Sequence, residues 1–187
     1  QTIWQILPVG PTGYADSPYQ SCSAFAGNPY FIDLDLLAAD GLLTKKDYAN
    51  INWGGDAARV DYGTLYEKRF TVLRKAYHNF LKQRPVPGYD TPYPDDWYRF
   101  QFLSSDWLPD YCLYMAIKEE NGMVDWQQWP RALRVREGEA LAQFRADHAE
   151  EIEFWAFVQY EFDRQWRTLH AYAKAQGIAI MGDIPIY

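Results

Sequence analysis

Three tyrosines, Tyr14, Tyr19 and Tyr30, stand within residues 10–30 beside Asp16, Ser17, Gln20 and Asn28, and no Lys, Arg, Glu or His falls among them. Flat rings set next to neutral hydrogen-bonding groups are the chemistry for a neutral, hydroxyl-rich ligand. A stretch kept in solution by charge alone would carry lysines and glutamates instead. Gly10, Gly13 and Gly27 permit positive φ, and Pro11, Pro18 and Pro29 remove backbone donors, so the stretch reads as an irregular loop.

Asp183 is the other chemical candidate. It follows an apolar run and precedes Ile184-Pro185, where packing gives no reason for a carboxylate; the alternative is a turn cap that accepts backbone N–H bonds. Cleaving a glycosidic bond takes two carboxyl groups, one acid/base and one nucleophile if configuration is retained, and only Asp183 qualifies. Asp16, before Ser17-Pro18, reads as the organiser of its own turn. Asp90, Asp95, Asp96 and the carboxylates of residues 137–153 read as loop residues or a solvated helix face. His78, His148 and His170 fall on predicted helices as face or core histidines. Ser21 and Cys22 have no base nearby in sequence and no nucleophile-elbow pattern, so no catalytic Ser or Cys set assembles. Nucleotide-binding glycine motifs are missing.

The elements that must position these residues begin and end with strands. Residues 2–9 form an apolar, β-branched and aromatic run stopped by Gly10-Pro11, which predicts a buried strand of parallel-sheet type; residues 177–187 predict a second. Between them the pattern is helical. A short helix follows Asp33 and stops at Gly41, residues 50–58 are a loop, and Asp61 caps a helix to about Gln83 with Leu65, Val72, Leu73, Ala76, Tyr77 and Phe80 on one face. Residues 84–95 break the pattern, and another helix spans about 106–120. Leu141, Phe144, His148, Ile152, Trp155, Gln159, Phe162, Trp166, Leu169 and Ala173 recur at alternating spacings of three and four, which predicts one long helix over 137–176 with a core-facing stripe. Gly177 supplies its stop, and the strand follows at once, as in half of a βαβ crossover.

Two strands do not make a stable parallel sheet, and such sheets want both faces covered. The fold class is therefore α/β, a portion of a (β/α)8 TIM-type barrel with two parallel strands at the chain ends and a large, mostly helical insertion. Residues 1–10 would be a barrel strand of second-strand type, 11–136 the active-site loop and helical insertion, and 137–187 a long helix and the next strand. Active sites of such barrels sit at the C-terminal ends of the strands, where loop 10–30 and Asp183 both fall.

Composition narrows the partners. The net charge of −7 with scattered Lys and Arg offers no basic stripe for a phosphate backbone, which argues against nucleic acid. Cys22 and Cys112 lie far apart without metal-ligand spacing and read as reduced thiols of a cytoplasmic protein. No apolar run approaches the roughly 20 residues of a membrane span, and no signal peptide is visible. The aromatic share of 18% exceeds what packing usually requires, and a ring-rich core accounts for most of it but not for the loop tyrosines.

Residues 4–30, from Trp4 through Gly10-Pro11-Thr12-Gly13-Tyr14 and Asp16-Ser17-Pro18-Tyr19-Gln20 to Phe25-Ala26-Gly27-Asn28-Pro29-Tyr30, closely resemble the amylomaltases, the 4-α-glucanotransferases of glycoside hydrolase family 77. Val60-Asp61-Tyr62-Gly63-Thr64-Leu65-Tyr66, Asp125-Trp126-Gln127-Gln128-Trp129-Pro130 and Gly182-Asp183-Ile184-Pro185-Ile186-Tyr187 resemble the same family in the same order.

The resemblance implies a barrel related to the α-amylases and a retaining transfer of α-1,4-glucan segments between maltodextrins, with glucose as an acceptor and no metal or cofactor. It implies that Tyr19 is the ring platform for the sugar at the cleavage point, Ser17 its hydrogen-bonding neighbour, and Asp183 the third-strand aspartate that positions that sugar. Tyr14 and Tyr66 resemble a pair that in some members forms a second glucan groove. Ala15 stands where the family often has Gly, and Cys22 where it often has Phe. The family's nucleophile, acid/base and transition-state carboxylates come from later strands, so the chain alone is expected to bind glucan weakly and not to catalyse. The competing expectations are a hydrolase of the same superfamily and a non-catalytic glucan-binding module.

Overall fold

The computed structural model describes residues 1–56, 58–83 and 95–185, the side chains of Tyr14 and Asp95 excepted. In chain order the elements are β1 (Ile3–Gln5), α1 (Leu34–Ala39), α2 (Tyr62–Gln83), α3 (Asp95–Leu103), α4 (Leu108–Glu120), α5 (Arg131–Arg134), α6 (Gly138–Asp147), α7 (Ala149–Ala175) and β2 (Ala179–Met181). They fall into two compact units, one of Gln1–Pro94 with Gln159–Tyr187, the other of Asp95–Val158. The chain is thus a mostly helical α/β structure.

In the first unit the end strands pair in parallel, with Ile3 opposite Ala179, Trp4 opposite Ile180 and Gln5 opposite Met181. The ladder runs one bond further at each end, from Ala179 N to Thr2 O at 2.8 Å and from Ile6 N to Met181 O at 3.0 Å. Both strands are shorter than the apolar runs that announced them, and neither is buried: Ile3 is 59% and Trp4 48% exposed. The physical reason is that a parallel strand is covered only by further strands and by crossover helices.

Capping sets the helix starts. Asp33 accepts from the Asp35 and Leu36 amides at the head of α1, and Asp61 accepts from the Thr64 amide and hydroxyl, both at 2.9 Å, at the head of α2. Those bonds to Thr64 hold the Asp61 carboxyl below its usual range. On α2, Val72, Leu73, Ala76, Tyr77 and Phe80 are buried as the periodicity requires, while Leu65 is only half-buried and Arg69 joins the buried face instead. Arg69 is accommodated because its guanidinium donates to the Ile32 and Tyr30 carbonyls and lies 5.8 Å from the Trp53 ring. Burial pulls its pKa down to about 10. The C-terminus of α7 closes on Gly177 at φ 71°, with the Ile178 amide reaching back to the Ala173 carbonyl at 2.9 Å.

The expected single helix over 137–176 is two helices. His148 departs from helical geometry at φ −122°, ψ 33° and ends α6, its ring stacked on Phe144 at 4.0 Å. One kinked residue leaves the three-four spacing in phase on both sides, so the pattern reads straight through the break. His148 is accordingly a junction residue rather than a helix-face one. Helix α3, which the sequence reading left out, is only nine residues long but buries Trp97 and Phe100 in the second unit. There Trp155 donates its indole N–H to Glu119 at 3.1 Å, and Tyr114 lies 5.2 Å from Trp129. The expectations for residues 84–94, Asp90 among them, and for Ile186 and Tyr187 lie outside the described residues.

An ion cluster built on one buried carboxylate braces the first unit. Glu161, 2% exposed, accepts from the Arg164 guanidinium at 2.8 and 3.3 Å, and the same guanidinium pairs with Asp40 just past α1. Burial pushes the Glu161 carboxyl up, and Arg164 opposes that shift.

Candidate functional site

The loop between β1 and α1 is closed by its own backbone. The Gly13 amide donates to the Ser17 carbonyl at 3.1 Å, the Asp16 amide to the Gly13 carbonyl at 3.1 Å, and the Gln20 amide to the Ser17 carbonyl at 3.3 Å. The left-handed residues that make this turn are Ala15 at φ 54° and Asp16 at φ 59°, not the loop glycines. That corrects the expectation that Gly10, Gly13 and Gly27 serve for positive φ. They serve for close approach: a Cβ on Gly13 would overlap the Gln20 carbonyl, and one on Gly27 would overlap the Phe162 ring. Two adjacent non-glycine residues in the left-handed region store strain where the loop carries its candidate ligands. Ala15 bears that strain directly.

At the tip, Ser17 Oγ accepts from the Tyr19 amide at 3.3 Å, and Tyr19 OH donates to Asp183 Oδ2 at 2.8 Å. Asp183 also accepts the Ile184 amide on Oδ1 at 2.8 Å, so one carboxylate caps its own turn and holds the Tyr19 hydroxyl at once. The bond to Asp183, followed by burial and the negative charge, raises the Tyr19 pKa. At neutral pH the phenol is therefore a proton-bearing donor beside a carboxylate. Tyr19 is 36% exposed, which leaves its ring open to a ligand. Sequence reasoning named Ser17, Tyr19 and Asp183 separately; the fold puts them in one chain of hydrogen bonds.

Asp16 organises its turn through its backbone alone. Among the described residues its carboxylate makes no hydrogen bond, and its charge contributes, after burial, to raising the Tyr30 pKa. Ser21 has its hydroxyl committed to the Ser23 carbonyl at 2.8 Å, a turn contact rather than a nucleophile's. Tyr66 is 50% exposed at the start of α2. Near it Tyr30 packs between Tyr62 and Phe70 at 6.2 and 6.1 Å, and Tyr66, after burial and Asp16, helps raise the Tyr30 pKa. Tyr14 sits in the 14–16 turn, and its side chain lies outside the described residues.

Both cysteines are thiols, Cys22 exposed and Cys112 buried, with burial pushing Cys112 up to about 12. Among the described residues no group of three His, Cys, Asp or Glu side chains is placed to hold a metal ion, and no helix is long and apolar enough to cross a membrane.

The sequence reading missed the role of Gln159. It lay in the α7 stripe as a core residue, and in the structure it is 2% exposed and bonded to loop 10–30. The available signal was an amide within an apolar stripe, because a buried amide must find partners.

The family model described as 4-alpha-glucanotransferase, glycoside hydrolase family 77, matches residues 1–187, and the chain belongs to that family. The 4-alpha-glucanotransferase of Clostridium butyricum is 43% identical over all of this chain and 37% of its own length. That of Thermus thermophilus is 46% identical over 98% of this chain and 35% of its own. Among solved structures, an amylomaltase from Streptococcus agalactiae in complex with acarbose superposes with a TM-score of 0.91 at 44% identity, over all of this chain and 36% of that one. The chain therefore spans little more than a third of the relatives it matches.

Proposed function

We propose that this chain is part of a cytoplasmic 4-α-glucanotransferase that moves α-1,4-glucan segments between maltodextrins by a retaining double displacement. The observation that carries the reading is the Tyr19–Asp183 pair, a ring and a carboxylate joined at the ends of two adjacent parallel strands. In this reading Tyr19 stacks on the sugar at the cleavage point, and Ser17 and Asp183 bind its hydroxyls. Tyr14 and Tyr66 form a second glucan groove. The nucleophile and acid/base carboxylates come from the parts of the relatives that lie beyond the matched third. Maltodextrins are the donors, with maltodextrins or glucose as acceptors, and no cofactor takes part. The two cysteine thiols support the cytoplasmic assignment.

The barrel assignment belongs to the same proposal. Residues 1–10 and the end of 137–187 are neighbouring strands of a (β/α)8 barrel, with 11–136 as loop and helical insertion. Supporting it, Trp4, Ile6, Phe31, Phe162, Trp166 and Leu169 line an apolar groove of about 500 Å³. Further strands and helices of a closed barrel would cover such a surface.

The test is product analysis of the full-length parent incubated with maltotriose. Transfer yields glucose together with maltodextrins longer than the substrate. Shorter products alone would make the parent a hydrolase, and no reaction would leave a binding module.

A further inference from the structure

Gln159 and Gly27, 132 positions apart, form a closed two-bond ring: the Gly27 amide donates to Gln159 Oε1 at 2.7 Å, and Gln159 Nε2 donates to the Gly27 carbonyl at 3.0 Å. Both groups are out of water, so neither bond has a solvent substitute, and breaking the ring leaves a buried donor and a buried acceptor unpaired. The next residue, Asn28, donates its amide to the Val9 carbonyl at 2.8 Å, four residues past the end of β1. The returning arm of the loop is thereby pinned to the outgoing arm by Asn28 and to α7 by Gln159. From the pins back toward the tip, the Ala26 amide donates to Ser23 Oγ at 3.1 Å and Ser21 Oγ to the Ser23 carbonyl at 2.8 Å, and the backbone bonds within residues 13–20 close the turn that carries Tyr19.

A second ring of the same kind provides a comparison. Gln165, six positions on, accepts from the Asp33 amide at 2.7 Å and donates to the Asp33 carbonyl at 3.2 Å. It holds the head of α1, past the loop, and leaves residues 10–30 alone.

We infer that Gln159 is a positioning residue of the glucan site: its side-chain amide fixes the returning arm of loop 10–30 so that Tyr19 is presented against Asp183. The inference rests on the glucanotransferase reading for its activity readout and on the structure alone for the clamp.

The experiment uses the full-length parent. Gln159→Met keeps volume and removes both bonds. Gln159→Glu, whose buried carboxyl stays protonated at mildly acidic pH, keeps one donor and one acceptor. Expected for Gln159→Met are faster amide exchange in residues 13–27 with α7 still protected, and kcat/KM on maltotriose lower by about threefold to tenfold, no more than the loss of the Tyr19 ring that it misplaces. Combined with Tyr19→Ala it should add nothing to the Tyr19→Ala loss, since both act through one ring. Gln159→Glu should approach wild type at mildly acidic pH and fall away as pH rises and the carboxylate faces the Gly27 carbonyl. Gln165→Met should stay within about twofold of wild type, because its ring lies outside the returning arm.

Wild-type rates in Gln159→Met, losses that multiply with Tyr19→Ala, or a Gln159→Glu as poor as Gln159→Met at acidic pH would each overturn the inference. If Gln159→Met does not fold, Gln159→Glu and the wild-type Gly27 amide decide it, since that amide must exchange slowly if the ring exists. A wild-type parent with no action on maltotriose would remove the functional reading, while amide exchange would still judge the clamp.

Discussion

Tyr19 and Asp183 meet across 164 positions of sequence through one 2.8 Å hydrogen bond from phenol to carboxylate. The bond ties the loop after β1 to the turn after β2, so the ring is held while its face stays accessible. A sugar placed there meets an apolar plane and an acceptor at once, the pairing that a neutral polyol requires.

Tyr19→Ala in the full-length parent is expected to lower kcat/KM on maltotriose by about tenfold, and Tyr14→Ala much less, if Tyr19 takes the cleavage-point sugar as proposed. Tyr19→Phe should fall between wild type and Tyr19→Ala, keeping the ring and losing one hydrogen bond of about 1 kcal/mol. Equal losses from Tyr14→Ala and Tyr19→Ala on short maltodextrins would remove Tyr19 from the cleavage point.

Gly13→Ala drives a methyl group into the Gln20 carbonyl. The segment from Ala15 to Pro18 lies at the surface and can reshape without unfolding the core. The expected result is a drop in kcat/KM of about tenfold with the urea midpoint nearly unchanged. An unfolded variant, or full activity, would show that the turn does not have this geometry.

Arg164→Met leaves Glu161 buried opposite Asp40 with no cation. Arg164 is itself 30% exposed, so the cost is below the roughly 3–5 kcal/mol of a fully buried pair, and that loss should appear in urea unfolding of the parent. The double variant Glu161→Gln with Arg164→Met should regain most of it, because the stranded charge is gone.

Asp47 gives a pH dependence of known sign. Lys75, then the Thr44 amide and hydroxyl, hold its carboxyl down to about 2, against about 3.9 in the unfolded chain. A depressed folded pKa stabilises the fold fully above the unfolded value, and the contribution is lost as pH falls from about 4 toward 2. The difference in unfolding free energy between wild type and Asp47→Asn should therefore be constant above about pH 5 and shrink on acidification. A difference that widens toward pH 2 would contradict the assignment.

Local chemistry was legible in the sequence where one residue decides an outcome: Asp61 as a cap, Gly177 as a stop, and loop 10–30 and Asp183 as neighbours at the strand ends. Legibility failed where two segments decide together. Arg69 is buried because the Ile32 and Tyr30 carbonyls, far from it in sequence, accept its protons. Gln159 is polar within an apolar stripe because Gly27 comes to it. The break at His148 keeps the helical phase and hides in the periodicity. Helix α3 was missed because nine aromatic-rich residues next to a proline-rich stretch give too few turns to read.

The parallel pairing of β1 with β2 also has a consequence in time. The long-range bonds that fix the loop, to Gln159 across 132 positions and to Asp183 across 164, wait for residues made that much later. Closing a flexible segment of that length costs roughly 4–5 kcal/mol of chain entropy. Translation at about 5–20 residues per second leaves β1 and its aromatic loop unpaired for roughly ten seconds or more on the ribosome. The segment that carries Tyr19 is made well before the residues that secure it, which makes Trp4, Phe25 and Phe31, exposed even in the fold, the surface a nascent-chain chaperone would meet.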